Sequence, residues 1–347
     1  MNQEGCNLDF DTGLGCLLER LKSGRVRRVM LVGATDSGKT WLCRRIAAWA
    51  WERGLKVGFL DFDLGQSTVG PPGCIGLQLP WEEGDDLLFP TAMAFLGYVS
   101  PAWDVGSVVE KGGGLLSWAE DKGYDLLVVD TSGMVQGPLA GLLKRTKMRR
   151  LLPDLVVALE REGETKHIFR GLEEVQGKVL FIQPSRHASR RGREERTGYR
   201  ACLLTRYFRD SRPLVLELDG LELCGTSPRV PAEISCLQEG QLLGLNDGLG
   251  VTLAVARLEG LEENRLKVLT PFRGNPGLIR EVAVGPSVLR PDGSLHIITV
   301  TGSPGQGNKV YPVGPRLSPG GKGNLPGAGG PPSSPPTDDP PGAHRVD

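Results

Sequence analysis

The chain of 347 residues has no excess charge of either sign, 41 Lys and Arg standing against 41 Asp and Glu. That excludes a global positive field pulling on nucleic acid or a membrane surface, so any such attraction has to come from local clusters. Nor does any apolar run approach the roughly 20 residues that cross a bilayer. The N-terminus, MNQEGCNLDFDTG, is acidic and polar, unlike a secretory signal. Histidine is scarce, at 4 residues, and the 7 cysteines are scattered without a CxxC pair. This excludes a zinc knuckle or a disulfide framework and points to reduced thiols in a soluble, cytoplasmic protein with no membrane partner. No internal repeat is present.

What is there falls into blocks. A short amphipathic helix is expected within residues 1–25, around Leu14 to Leu21. Continuous apolar runs follow at Arg28 to Val32, Val57 to Asp61, Ala92 to Val99, Leu126 to Asp130, Leu155 to Leu159 and Val179 to Ile182. Short runs rich in Val, Ile, Leu and Phe that do not alternate are how strands of a parallel sheet, buried on both faces, read. Segments such as Lys39 to Arg53 and Val105 to Lys122 are long enough for crossover helices. The expected fold class is α/β, a doubly wound, mainly parallel sheet over residues 26–211. Beyond Asp210 the runs shorten and are parted by Gly, Asp, Asn and Pro, which predicts a small all-β domain over 212–314. Residues 315–347 are so rich in Pro and Gly, with almost nothing to bury, that they read as a disordered tail.

The strongest local signal is Gly33-Ala34-Thr35-Asp36-Ser37-Gly38-Lys39-Thr40, a G-x-x-x-x-G-K-[ST] string between a strand and a helix. Its glycines let backbone N–H groups close on phosphate, Lys39 reaches the β- and γ-phosphates, and the Thr40 hydroxyl suits Mg²⁺. ATP and Mg²⁺ are the cofactors this predicts. In the helix that follows, Trp41, Trp49 and Trp51 read as packing residues. Carboxylates ending neighbouring strands, Asp61 and Asp63 in DFDLGQS and Asp130 in LLVVD, sit where a metal ion or an attacking hydroxyl would lie. Thr131-Ser-Gly133-Met-Val-Gln-Gly137 reads as a loop able to close over a triphosphate.

Two basic clusters follow. Lys144 to Arg150 looks helical with its charges spread round the axis, so it reads as a solvated face as readily as a binding patch. The second holds six arginines between Arg186 and Arg200, and arginine favours bidentate phosphate recognition. Arg196 and Arg200, four apart on a helix, project from one face and suit a lid over a transferring phosphoryl group.

The order of these pieces, GATDSGKT, DFDLGQS, DTSGMVQG, then the RTGYR lid and a trailing β domain, resembles the polynucleotide 5′-hydroxyl kinases of the Clp/Grc type over about residues 27–300. The resemblance implies ATP-dependent phosphorylation of 5′-hydroxyl ends of RNA, sometimes DNA. It implies that Lys39 and Thr40 serve the phosphate loop and Asp63 activates the 5′-hydroxyl. It further implies that Thr131 and Gly133 form a clasp holding Lys39, that Gln66 orders metal or water, and that Arg196 and Arg200 form the lid. With the phosphate loop starting at residue 33, the expected form is a minimal one without the separate N-terminal domain of eukaryotic relatives. Two other readings fit the same residues: a non-catalytic ATP-binding adaptor, and a small-molecule kinase or ATPase. Phosphoryl transfer to an oligonucleotide end separates them.

Overall fold

The computed structural model describes residues 8–299, apart from 176, 187, 189, 190 and 263, together with 309–312. The tail expected over 315–347 lies outside the described residues. Two sheets organise the rest. The first runs in the order β4-β3-β2-β5-β1-β6-β7. Its strands are β1 (Arg28–Gly33), β2 (Val57–Asp61), β3 (Cys74–Gln78), β4 (Ala92–Phe95), β5 (Leu126–Asp130), β6 (Leu155–Leu159) and β7 (Val179–Ile182). β2, β5, β1, β6 and β7 are parallel neighbours. Their near-continuous apolar sequence is explained by helices on both faces. α1 (Phe10–Lys22) and α2 (Lys39–Trp51) cover one face around Leu17, Ile46, Val29 and Val157. α3 (Val105–Lys122) and α4 (Gly137–Leu151) cover the other around Val108, Leu116, Leu143 and Met30.

One expectation is corrected. Ala92 to Val99 is not a parallel strand: β4 stops at Phe95 and pairs antiparallel with β3, which pairs antiparallel with β2. The stretch between β2 and β4 has no helical crossover, so the chain meanders instead, and Gly97 at φ 72° turns it away. β3 itself went unread because CIGLQ is short and flanked by Gly and Pro.

Helix boundaries follow local chemistry. Asp9 caps α1, its carboxylate accepting from the N–H groups of Asp11 and Thr12, both at 3.1 Å. Asp104 caps α3 through Ser107 N–H at 3.1 Å. α5 (Lys166–Phe169) is a single turn, and α6 (Arg193–Phe208) leads into the second sheet.

That sheet runs β15-β14-β13-β10-β11-β12-β8, from β8 (Arg212–Glu217), β10 (Gln241–Asn246), β11 (Thr252–Glu262), β12 (Arg265–Thr270), β13 (Glu281–Leu289), β14 (Leu295–Thr299) and β15 (Lys309–Pro312). All these pairs are antiparallel, while β9 (Glu222–Gly225) joins β13 in parallel. The sheets meet at Phe95. A Cβ on Gly244 would come within 2.8 Å of that side chain, and one on Gly285 within 2.7 Å, so the ring lies flush on backbone. The Phe95 N–H donates to Thr252 Oγ1 at 2.9 Å, and Ser287 Oγ donates to the Gly97 carbonyl.

Candidate phosphate-binding site

β2 and β5 end level, Asp61 opposite Asp130 in register, and β1 runs beside β5 into the glycine loop. The loop needs its glycines. At Gly33 a Cβ would lie 2.7 Å from the Leu159 carbonyl oxygen, and Gly38 has φ 89°, which points the first N–H groups of α2 inward. Lys39 is 6% exposed, and its ammonium donates to the Ala34 carbonyl at 2.7 Å. Burial pulls its pKa down, opposed by Asp130 and Asp63. Thr40 Oγ1 donates to Asp130 Oδ2 at 2.5 Å, and Asp130 Oδ1 accepts from Thr131 N–H at 2.8 Å. Burial raises the Asp130 carboxyl, opposed first by the Lys39 ammonium.

The two aspartates of DFDLGQS part company. Asp61 is 1% exposed, and both its oxygens are taken: Oδ1 accepts from Asp63 N–H at 2.8 Å, Oδ2 from Thr68 and Val69 N–H at 2.6 and 3.1 Å. Burial, with Asp130 and Asp63 nearby, pushes its carboxyl well above the usual range. In this arrangement it ties the turn after β2. Asp63 lies past the strand end and caps the next turn, Oδ1 accepting from Gly65 and Gln66 N–H at 3.1 and 3.0 Å.

The Thr131–Gly133 loop lies on the glycine loop. A Cβ on Gly133 would be within 2.6 Å of the Thr35 backbone, so only glycine fits. Lys39 is bonded here within its own loop. Thr131 instead meets Lys144, whose ammonium donates to Thr131 Oγ1 at 2.8 Å and to the Ser132 carbonyl. Lys144 and Lys147 are both fully buried, so the solvated-face reading of this helix is corrected. The signal was in the sequence: both lysines fall on the stripe Ala140, Leu143, Lys144, Lys147, Met148, Leu151, at helical spacing.

α6 brings the arginines over the loops. The Arg196 guanidinium donates to Asp36 Oδ2 at 3.2 Å and to the Arg191 carbonyl at 2.6 Å, and Arg191 N–H donates to Asp36 Oδ2 at 2.9 Å. Gln66 Nε2 donates to the Arg196 carbonyl at 3.2 Å, and Tyr199 hydroxyl to the Ser67 carbonyl at 3.3 Å. Arg200 is pulled below the usual arginine range by burial and by Arg196, while Asp63 opposes. Arg190 lies outside the described residues. Trp41, expected to pack, is 53% exposed beside the loop, its ring 5.9 Å from Phe10.

Four buried atoms around these loops lack hydrogen-bond partners among the described residues: Gln66 Oε1, Ser132 Oγ, Lys147 Nζ and Arg196 Nε. Buried polar atoms are normally paired, so their gathering here fits a polar, charged ligand. Among the described residues no three His, Cys, Asp or Glu side chains converge to cage a metal ion. Thr40 Oγ1 and Asp130 Oδ2, paired at the start of α2, are oxygens of the kind that suit Mg²⁺ carried with phosphate, which needs only one or two from the protein. Among the described residues no helix is long and apolar enough to cross a membrane.

A parallel sheet whose central strand opens into this loop, with lysine and threonine at the helix start and an aspartate ending the next strand, defines a P-loop fold. Residues 33–210 match the family described as mRNA cleavage and polyadenylation factor CLP1 P-loop, and the chain belongs to that family. It is similar to a polyribonucleotide 5′-hydroxyl-kinase of Pyrococcus horikoshii, 34% identical over 203 residues, covering 57% of this chain and 54% of the relative. It is also similar to one of Methanocaldococcus jannaschii, 32% identical over 215 residues, covering 61% and 58%. The matches thus span little more than half the length of these relatives. Among solved structures, a complex of wild-type Clp1p with a Pcf11p segment shares the fold, with a TM-score of 0.62 at 16% identity over 79% of this chain and 77% of that one.

Proposed function

We propose that this chain transfers the γ-phosphoryl group of ATP to the 5′-hydroxyl end of RNA, with DNA ends a second acceptor. The observation that carries the reading is the meeting of three loops and one helix. The phosphate loop, the Asp63 turn and the Thr131–Gly133 loop lie together beneath the arginines of α6. The names of the similar archaeal proteins support the acceptor.

Bound Mg²⁺ would supply neutralisation of the charge carried by the transferring phosphate. Thr40 and Asp130 would hold it, and the Lys39 ammonium would exchange the Ala34 carbonyl for phosphate oxygens. Asp63 orients the 5′-hydroxyl and takes its proton as the new O–P bond forms and ADP leaves. A loose transition state asks little basicity of that carboxylate. Arg196 and Arg200 cover the γ-phosphoryl group and exclude water, which suppresses hydrolysis.

The test is transfer of γ-label from ATP to matched RNA and DNA oligonucleotides ending in 5′-hydroxyl or 5′-phosphate. Label should enter the 5′-hydroxyl strands alone, and Asp63→Asn should lower kcat by roughly a hundredfold or more. Tight ATP binding without transfer to either strand overturns the reading.

A further inference from the structure

Lysines are rarely sealed inside a protein, and when they are, something holds them. Lys144 is 0% exposed, two turns into α4, which starts at Gly137 directly after the Thr131–Gly133 loop. Helical side chains lean toward the N-terminus of their own helix, so Lys144 reaches back under the loop that leads into it. There its ammonium bridges Thr131 Oγ1 and the Ser132 carbonyl. Thr131 Oγ1 donates onward to the Leu31 carbonyl of β1 at 2.6 Å. The loop is thereby pinned to the strand that carries the phosphate loop. Its far end, Gly133, rests on the Thr35 backbone, and Thr35 Oγ1 donates to the Gly133 carbonyl at 3.4 Å.

An ammonium is a costly tie. Burial, with Lys147 and Lys39 nearby, draws Lys144 well below the ordinary lysine range, while Asp63 and Asp130 act the other way. A neutral amide could donate to the same acceptors with less desolvation. What places the donor here is the lysine stem, which spans from α4 to both acceptors, the Thr131 hydroxyl and the Ser132 carbonyl.

We propose that Lys144 is a positioning residue for the nucleotide: from beneath the Thr131–Gly133 loop it holds Gly133 against Thr35, and so holds the phosphate cradle in its binding shape. It acts through the loop and touches no substrate. The inference rests on the ATP reading above and is independent of the acceptor.

The experiment measures ATP affinity by calorimetry, without RNA, together with the urea midpoint, for wild type, Lys144→Met, Lys144→Gln, Thr35→Ala and the Lys144→Met/Thr35→Ala pair. Lys144→Met should weaken ATP binding roughly tenfold, the scale of one lost buried hydrogen-bonded tie. Lys144→Gln, which keeps a donor, should recover part of that loss. The double variant should lose less than the product of the single losses, because both act through Gly133. Unchanged ATP affinity in a folded Lys144→Met or Lys144→Gln protein, with only the urea midpoint lowered, overturns the proposal, as does full multiplicativity in the pair. If Lys144→Met does not fold, Lys144→Gln carries the same comparison. Wild-type protein that binds ATP but phosphorylates no 5′-hydroxyl end would overturn the acceptor reading and leave this one standing.

Discussion

Lys147 lies one turn beyond Lys144 on the same buried stripe, its ammonium 4.1 Å from the centre of the Phe62 ring and without a hydrogen-bond partner among the described residues. Burial pushes it down to about 7, although Asp63, Asp61 and Asp130 favour its charged form. The unfolded chain, with an ordinary lysine, therefore binds more protons than the folded one between about pH 7 and the usual lysine range. Stability contributed at this position must rise with pH across that window and fall as pH drops through it. Lys147→Met keeps the volume and removes the buried charge. Its urea midpoint should exceed that of wild type at pH 6–7, by an amount worth a few kcal/mol, and the difference should shrink toward pH 10. A difference that stays constant with pH would show that Lys147 titrates normally. The phosphate-loop residues were legible because backbone N–H groups bind phosphate, and the string that permits this is short and local. Lys144 and Lys147 were not, because a count of charges on a helix does not say which face the sheet covers. At Asp61 the strand-end position was visible in the sequence, but the turn it ties was not.

At the scale of elements, α6 joins two loops distant in sequence through a few polar contacts. Asp36 holds both Arg196 and the Arg191 N–H, and Asp36 itself sits at φ 58°, a conformation that turns its carboxylate away from the loop's own helix. The pair is partly exposed, with side chains 33% and 15% accessible. A charge-assisted bond in that setting contributes on the order of 1 kcal/mol, or roughly a fivefold change in local opening. Asp36→Asn should accordingly raise the initial rate of trypsin cleavage within residues 186–200 by about that factor in nucleotide-free protein, with the rest of the chain unaffected. Equal cleavage of both proteins would mean that the Gln66 and Tyr199 contacts hold α6 unaided. The helix was legible from Arg196 and Arg200 at i, i+4. Its partner was not, since nothing in GATDSGKT marks Asp36 as facing outward to another element. The meander β2-β3-β4 was missed because β3 is too short to stand out, and without it the strand at Ala92 shows no antiparallel neighbour in the sequence.

The whole molecule depends on how the two sheets meet. Sequence texture divides the chain near residue 211, and the change from long crossovers to short hairpin-like runs is real. Texture does not show that Phe95 from the first sheet lies against Gly244 and Gly285 of the second, or that α6 ends between them. There Leu204 and Tyr207 share one apolar cluster with Met93, Leu242 and Val255, and the Tyr207 hydroxyl accepts from Val255 N–H at 2.9 Å. A contact this close couples unfolding of both sheets. All six tryptophans lie at or before Trp118, and of these Trp103 touches Arg229, so their fluorescence reports mainly the first sheet and its helices, whereas far-ultraviolet circular dichroism reports both. Gly285→Ala would place a methyl 2.7 Å from the Phe95 ring edge and 3.0 Å from Gly97 Cα and the Leu242 carbonyl oxygen. Overpacking against backbone costs about 1–3 kcal/mol. In a coupled molecule the urea midpoint should fall by the same amount in both signals, even though the substitution lies in β13 and the tryptophans do not. A drop in the dichroism midpoint that leaves tryptophan fluorescence unmoved would mean the second sheet unfolds alone, and α6, anchored in it, would then be free to move without disturbing the phosphate loop.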